Sequence, residues 1–372
     1  MINVFGSYVG GEEIAAVTAC MQGQWMGFGA NVAEFEKKFS AKFHVPNFAM
    51  VDSGSNALYL AVKLLDLPPG SEVILPSFTW VACAQAVLVA GLTPVFCDVD
   101  PVTMNVRRED VEPKISPRTR AIMVVHFAGL PVDIDPILAL GFPVIEDAAH
   151  AVCSTYKGKP CGNIADVGIY SFDAVKNLTT GEGGGVATIW PEWIERIKRL
   201  RYCGIGKSGF EAAAANAKGK SRWWEYTITE PFIKMLPTNL AGAIGIAQLD
   251  RIDTLQALRR KIWNRYQEEF GALGWVKTPP EALEGNTHSW FTYCVNVPRR
   301  DDLAQFLLAN QVYTTLRYHP LHMNPLYRQM DVRLPNSEAL NETCLSLPLH
   351  PRLTDDEVGK VIDLVKEFGS HG

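Results

Sequence analysis

From about residue 45 to residue 190 the chain alternates short apolar runs with stretches of helical periodicity, and this alternation constrains the fold more than any other feature. "FAMVDSG" leads into "NALYLAVKLLDL", "SEVILPSF" into "TWVACAQAVLVAG", and "TPVFCDVD" follows. "RAIMVVHFAG", "FPVIEDAA", "DVGIYSF" and "GGGVATI" continue the series. The runs are bounded by Gly, Pro and Asp and are apolar throughout, so they predict strands of a buried parallel sheet with amphipathic crossover helices between them. The expected fold class is α/β, built in layers.

"PEWIERIKRLRYCG" predicts a helix that starts at Pro191 and stops at Gly204. Residues 205–230 break the rhythm. This stretch is rich in small residues, then basic and aromatic, and reads as an inserted excursion, either a surface loop or a lid that touches a ligand. "NLAGAIGIAQLDRIDTLQALRRKIWNRYQEEFGAL" then predicts one long helix leading into a C-terminal α+β unit. That unit has strand-like "FTYCVNV" and "YTTLRYH" and closing helices "DDLAQFLLAN" and "DDEVGKVIDLVKEF". The expected division is a large domain over residues 1–250, including the N-terminal segment and the excursion, and a small domain over residues 251–372.

Composition narrows the function. The 372 residues carry a net charge of −5, with no basic excess to attract nucleic acid or anionic lipid. The N-terminal stretch lacks the pattern of a signal peptide, and "VACAQAVLVAGLTPVF" is broken by Gly91 and Pro94, so no membrane span is expected. The eight cysteines are scattered singly, without a C-x-x-C pair. Free thiols are therefore expected, in a cytoplasmic enzyme.

In open α/β sheets ligands collect at the carboxyl ends of strands, and several strand ends here carry unusual residues. "VDSGSNAL" places Gly54 and Ser55 between a strand and a helix start. Free backbone N–H groups there make an anion cup suited to a phosphate, or else Ser53 or Ser55 simply caps the helix. "FPVIEDAAHA" ends a strand with Glu146, Asp147 and His150. A carboxylate at that point either caps the next helix or meets a cation such as a protonated ring nitrogen. No further ligands sit nearby at a metal-binding spacing, so no metal is expected. Lys176 in "YSFDAVKNLTTGEGGG" is either a solvated charge or, with its pKa lowered, a Schiff-base former beside glycines that bend the chain closely around a ligand. Trp80 in "PSFTWVACA" either fills the core or covers a ring. A phosphate cup, a carboxylate for a pyridinium nitrogen and a reactive lysine are together the three handles of pyridoxal 5′-phosphate (PLP).

On these motifs the chain resembles the DegT/DnrJ-type PLP-dependent sugar aminotransferases of fold type I. The similarity runs from "GFGANVAEFEKKF" through "DSGSNALYLAV", "PSFTWVA", "HFAGLPVDID", "VIEDAAHAV" and "YSFDAVKNLTTGEGGG" to "RYHPLH". The resemblance implies a mostly parallel seven-stranded sheet in the large domain. It implies Lys176 as covalent attachment point and proton shuttle, Asp147 on the pyridinium nitrogen, and His150 near the ring's 3-oxygen. Trp80 would stack on the ring, and Gly54, Ser55 and Ser171 would hold the phosphate. Lys234 of the partner subunit would reach that phosphate in a homodimer with its active site at the interface. The implied substrates are L-glutamate and a keto sugar, nucleotide-linked and most simply a 4-keto-6-deoxy hexose, in amino-sugar biosynthesis. The alternatives are a 3-keto sugar or a PLP-binding relative without catalysis. Relatives that act as dehydratases replace the lysine with histidine, and Lys176 argues against that branch. Arg222, Arg317 and His319 are available for substrate phosphate or hydroxyl groups. Three positions depart from the family pattern: His150 is often Gln, Asp173 is often His, and "FIKMLPTNLAG" lacks the usual Gly-aromatic-Asn-aromatic-Arg run.

Overall fold

The computed structural model describes residues 1–208, 224–330 and 332–370. Seven strands form one sheet: β1 (Phe48–Val51), β2 (Glu72–Pro76), β3 (Thr93–Cys97), β4 (Thr119–Val125), β5 (Val144–Asp147), β6 (Val167–Ser171) and β7 (Gly184–Thr188). Their order across the sheet is β1-β7-β6-β5-β4-β2-β3. Only β7 runs antiparallel to its neighbours, and β2 through β6 pair in parallel.

The unbroken apolar runs have a direct cause: both faces of the sheet are covered. Alternate residues of each strand point to opposite faces. Phe48, Met50, Ile122 and Val124 enter one core with Val32, Phe35 and Phe39 of α2 (Ala30–Phe43), the helix that follows α1 (Gly11–Gln22). Ala49, Val51, Ala121 and Met123 enter the other with Ala57, Leu58 and Ala61 of α3 (Gly54–Leu64) and Cys83 and Val87 of α4 (Ala82–Val89). A third core gathers Tyr293 and Val295 of β8 (Tyr293–Asn296), Leu345 and Leu347 of β9 (Cys344–Leu347), and residues of the closing helix Asp355–Ser370. Ile2 joins this third core from the N-terminus, and its backbone bridges to Val312.

The predicted long helix spans Asn239–Phe270, and the Thr238 hydroxyl caps it by accepting from the Ala241 N–H at 3.1 Å. Its first half packs against α2 and its second half, from Ile262 to Phe270, belongs to the third core.

Two local expectations change. The helix expected from Pro191 begins as a 3₁₀ turn, becomes α-helical over Ile194–Leu200 and ends before Gly204, whose φ of +68° takes the chain out of the helix. The segment "YTTLRYH" does not form a strand: it meets β9 only in the single bridge of Thr315 to Ser346. Within the excursion, Ile205–Ser208 pairs with Tyr226–Ile228, and residues 209–223, including Arg222, lie outside the described residues. Among the described residues no helix is long and apolar enough to cross a membrane, and all eight cysteines are free.

Two of the glycines after Lys176 are needed by the chain's own packing. Gly181 takes φ +83° in the turn, while a Cβ on Gly184 would lie 2.4 Å from the carbonyl carbon of Ser53 and one on Gly185 2.2 Å from the Phe48 ring. Bare backbone is what lets β7 slide under the start of α3. Gly184→Ala should lower stability by about 1–3 kcal/mol through this clash. Gly11→Ala, at a helical position with open space around it, should be neutral or stabilise by up to about 1 kcal/mol. Chemical denaturation of the two variants checks the contrast.

Candidate functional site

The parallel register brings the ends of β4, β5 and β6 level, with Val125 paired to Asp147 and Asp147 to Ile169. The reversed β7 returns along the same edge, Gly184 lying opposite both Ser171 and Val51. A cavity of about 470 Å³ opens there, lined by Gly54, Ser55, Trp80, Asp147, His150, Ser171, Lys176 and Arg317 among others.

At the cup, both readings of "DSGSN" hold at once. Ser53 is the helix cap, its hydroxyl accepting from the Asn56 N–H at 3.2 Å. The first N–H groups of a helix have no intrahelical partner, so capping by Ser53 leaves those of Gly54 and Ser55 for a ligand. Gly54 is required here: a Cβ would sit 2.8 Å from that of Ser171.

Neighbouring carboxylates of β5 diverge because successive residues of a strand face opposite sides. Glu146 is fully buried, bonded to His126 Nε2 at 3.0 Å, and accepts from the N–H groups of Gly162, Ile164 and Ala165. It organises the loop before β6. Asp147, 4% exposed, faces the cavity. Its Oδ1 accepts from the Ala149 N–H at 2.9 Å and its Oδ2 from the Cys83 thiol at 3.1 Å.

Lys176 sits on a loop held by Asp173. The Asp173 carboxylate accepts from the Val175 N–H at 3.1 Å and its carbonyl from the Lys176 N–H at 3.0 Å, a turn closed by an Asx side chain. This gives Asp173 a physical role that the sequence alone did not disclose. Asn177 then anchors the loop by donating to the Ser289 carbonyl at 2.5 Å.

The amine of Lys176 lies 4.8 Å from the centre of the Phe291 ring. Burial, and then the Arg317 guanidinium, pull its pKa down to about 8 against the opposing pull of Asp147 and Asp173. At pH 7 about one molecule in ten therefore carries a neutral amine, against fewer than about one in a thousand for an ordinary lysine. Arg317 is itself 8% exposed and clasped between aromatic rings, 3.6 Å from the centre of Phe5 and 4.9 Å from that of Phe291. It donates to the Tyr318 hydroxyl, which also bonds His150 Nε2, both at 3.0 Å. The His150 ring stacks on Phe291 at 4.2 Å, and its Nδ1 is buried without a partner. Burial, with Lys176 and Arg317 nearby, pushes the His150 pKa well below the ordinary range, so the ring is neutral.

Trp80 is not a core residue: it is 54% exposed and meets Tyr318 at a ring separation of 5.6 Å. Two expected residues lie outside this cavity. His319 is exposed and pairs with Asn341 at 2.8 Å, while Lys234 is exposed and its backbone bridges to Tyr202. Phe5, Thr79, Cys83, Phe291 and Tyr318 were not singled out from the sequence. Tyr318 stands beside Arg317 in "RYHPLH", but Phe5 and Phe291 come from segments with no motif to mark them.

The sequence model of the DegT/DnrJ/EryC1/StrS aminotransferase family matches residues 7–366. The chain is 36% identical over 380 residues to dTDP-4-dehydro-2,3,6-trideoxy-D-glucose 4-aminotransferase of Saccharopolyspora spinosa, spanning 100% of this chain and 97% of that protein. The crystal structure of the aminotransferase TlmJ from Streptoalloteichus hindustanus superposes with a TM-score of 0.92 at 37% identity, over 100% of this chain and 99% of that one. The PLP form of Spr1654 from Streptococcus pneumoniae superposes with a TM-score of 0.90 at 27% identity, over 99% and 98%.

The charge relation between the two cations can be measured in the ligand-free protein. Labelling of Lys176 by an amine reagent, followed by mass spectrometry across pH, should show a midpoint near 8. Arg317→Met removes the repulsion that disfavours the ammonium, so the midpoint should rise. An unchanged midpoint in the variant contradicts the electrostatic account.

Proposed function

The chain belongs to the DegT/DnrJ/EryC1/StrS aminotransferase family, a family of PLP-dependent sugar aminotransferases, and from that premise we propose that it transfers the amino group of L-glutamate to C4 of a nucleotide-linked 4-keto-6-deoxy hexose. The observation that carries the reading is the convergence of Lys176, Asp147 and the Gly54–Ser55 cup on one cavity. The printed activity of the Saccharopolyspora relative supports a 4-keto substrate.

The residues fit the cofactor. Ser53 is spent on its cap, which leaves the Gly54 and Ser55 N–H groups, with the Ser171 hydroxyl, to hold the phosphate. Asp147 retains acceptor capacity beyond its two protein donors for a protonated ring nitrogen. Trp80 and His150 form walls for the ring. Bound PLP supplies an electron sink for the carbanion left when the donor loses its α-proton. Asp147 keeps that sink cationic by holding the proton on the ring nitrogen. Lys176 Nζ would hold the cofactor covalently and would serve as the general base and acid that moves the α-proton, a role to which a pKa near 8 is suited. Arg317, fixed by Phe5 and Phe291, offers a desolvated guanidinium to an anionic substrate group.

A second copy of the chain completes the site in this reading. Lys234 is available on the surface for a partner's phosphate, and Trp25, Met26 and Phe28 leave an exposed apolar run, 64%, 51% and 39% exposed, for a partner to cover. Sedimentation of the purified protein should give a dimer, and Lys234→Ala should weaken PLP binding in it; a monomer with full activity contradicts this part.

Two experiments test the chemistry. Lys176→Ala should lower turnover in a coupled glutamate assay by at least about 10²–10⁴-fold, and borohydride should fix the cofactor to Lys176 in the parent protein. A panel of nucleotide-linked 4-keto and 3-keto sugars with glutamate should yield 2-oxoglutarate fastest with the 4-keto set. Faster reaction with the 3-keto set, or no transfer from glutamate, overturns the substrate reading.

A further inference from the structure

Cys83 lies in the first turn of α4, which follows β2, and none of its features marks it in the sequence. It is fully buried, and a buried cysteine is ordinarily a small hydrophobe that fills the core. Cys97 is such a residue, equally buried in the core on the other face of the sheet. Cys83 differs in what it touches. Its sulfur lies 3.1 Å from Asp147 Oδ2 and 3.3 Å from the Thr79 hydroxyl, and Thr79 itself is 1% exposed and lines the cavity. Burial, and then the Asp147 charge, push the thiol pKa well above its usual value, so the S–H group remains a donor at any working pH.

An ionised carboxylate needs donors when it is taken out of water, and it offers about four lone-pair sites. Asp147 has two protein donors, the Ala149 N–H on one oxygen and the Cys83 thiol on the other. Together they fix the carboxylate at both oxygens. A thiol is a weak donor, so it orients the group while leaving more of the negative charge for a cationic partner than a stronger donor would.

We propose that Cys83, steadied by Thr79, is a positioning residue that fixes the Asp147 carboxylate for the nitrogen of the PLP ring. The role rests on the assignment of this cavity to PLP. It is distinct from catalysis, since Cys83 is not among the residues lining the cavity.

The test uses the full-length protein stripped of cofactor and titrated with PLP, reading the dissociation constant and the position of the visible absorbance band. Cys83→Ala should weaken PLP binding by roughly threefold to tenfold, the worth of one hydrogen bond, and move the band. Cys83→Ser, which keeps a donor, should restore both toward the parent values, whereas Cys97→Ala should move neither. A purely structural role predicts the opposite order, because a buried hydroxyl without need of a partner is worse than a methyl group. Unchanged affinity and band in Cys83→Ala, or Cys83→Ser behaving as Cys83→Ala does, overturns the proposal. Should Cys83→Ala not fold, Cys83→Val is read in the same way. A parent protein that takes up no PLP overturns the cofactor assignment and this role with it. Parent binding together with indifferent Cys83 variants overturns the role alone.

Discussion

Two cations share one sheltered cavity, and most of the site follows from that conflict. Arg317 cannot give up its proton at any accessible pH, so the cost of crowding falls on Lys176, whose amine is driven toward neutrality. The arrangement persists because neither cation is free to leave. Arg317 is held between Phe5 and Phe291, and Lys176 is tethered by the Asp173 turn and the Asn177 anchor. The carboxylates of Asp147 and Asp173 limit the shift without abolishing it. The same two cations and the same desolvation keep His150 neutral. Side chains that would titrate ordinarily in water thus have their protonation shifted toward the neutral form by proximity and dryness.

The cavity is built by two different routes. One wall is the carboxyl edge of the sheet, where strand register alone aligns Asp147, Ser171 and the start of α3. The other wall is borrowed from distant parts of the chain. Phe5 comes from the N-terminus, whose Ile2 is embedded in the third core, and Arg317 and Tyr318 come from the segment that meets β9 only once. Ser7 ties the two walls together by donating to the Ala174 carbonyl on the lysine loop.

This division explains what could be read in advance. Strand ends are visible in a sequence because apolar runs end at Gly, Asp and Ser, so the positions of Asp147, Gly54, Ser55 and Lys176 were legible, as was the layered fold. Phe5 and Phe291 were not, since nothing local marks a ring that will clasp an arginine elsewhere in the chain. "YTTLRYH" misled for a related reason: its β-branched and aromatic residues suit a strand, but its pairing with Cys344–Leu347 is confined to Thr315. The glycine cluster signalled a close approach, and at Gly184 one approaching group is the chain's own Ser53. Asp173 and Cys83 act through a single hydrogen-bond geometry each, and geometry of that kind has no periodicity to detect.

The long helix Asn239–Phe270 bears on how the cavity walls are held together. It is one continuous rod embedded at one end against α2 and at the other in the third core. Two bodies joined by a flexible linker can swing apart, whereas two bodies skewered on a common helix cannot do so without bending it or tearing core contacts. Ile2 and Val312, a few residues before Phe5 and Arg317 in the chain, belong to that same third core, so both borrowed parts of the cavity wall are moored to the far end of the rod.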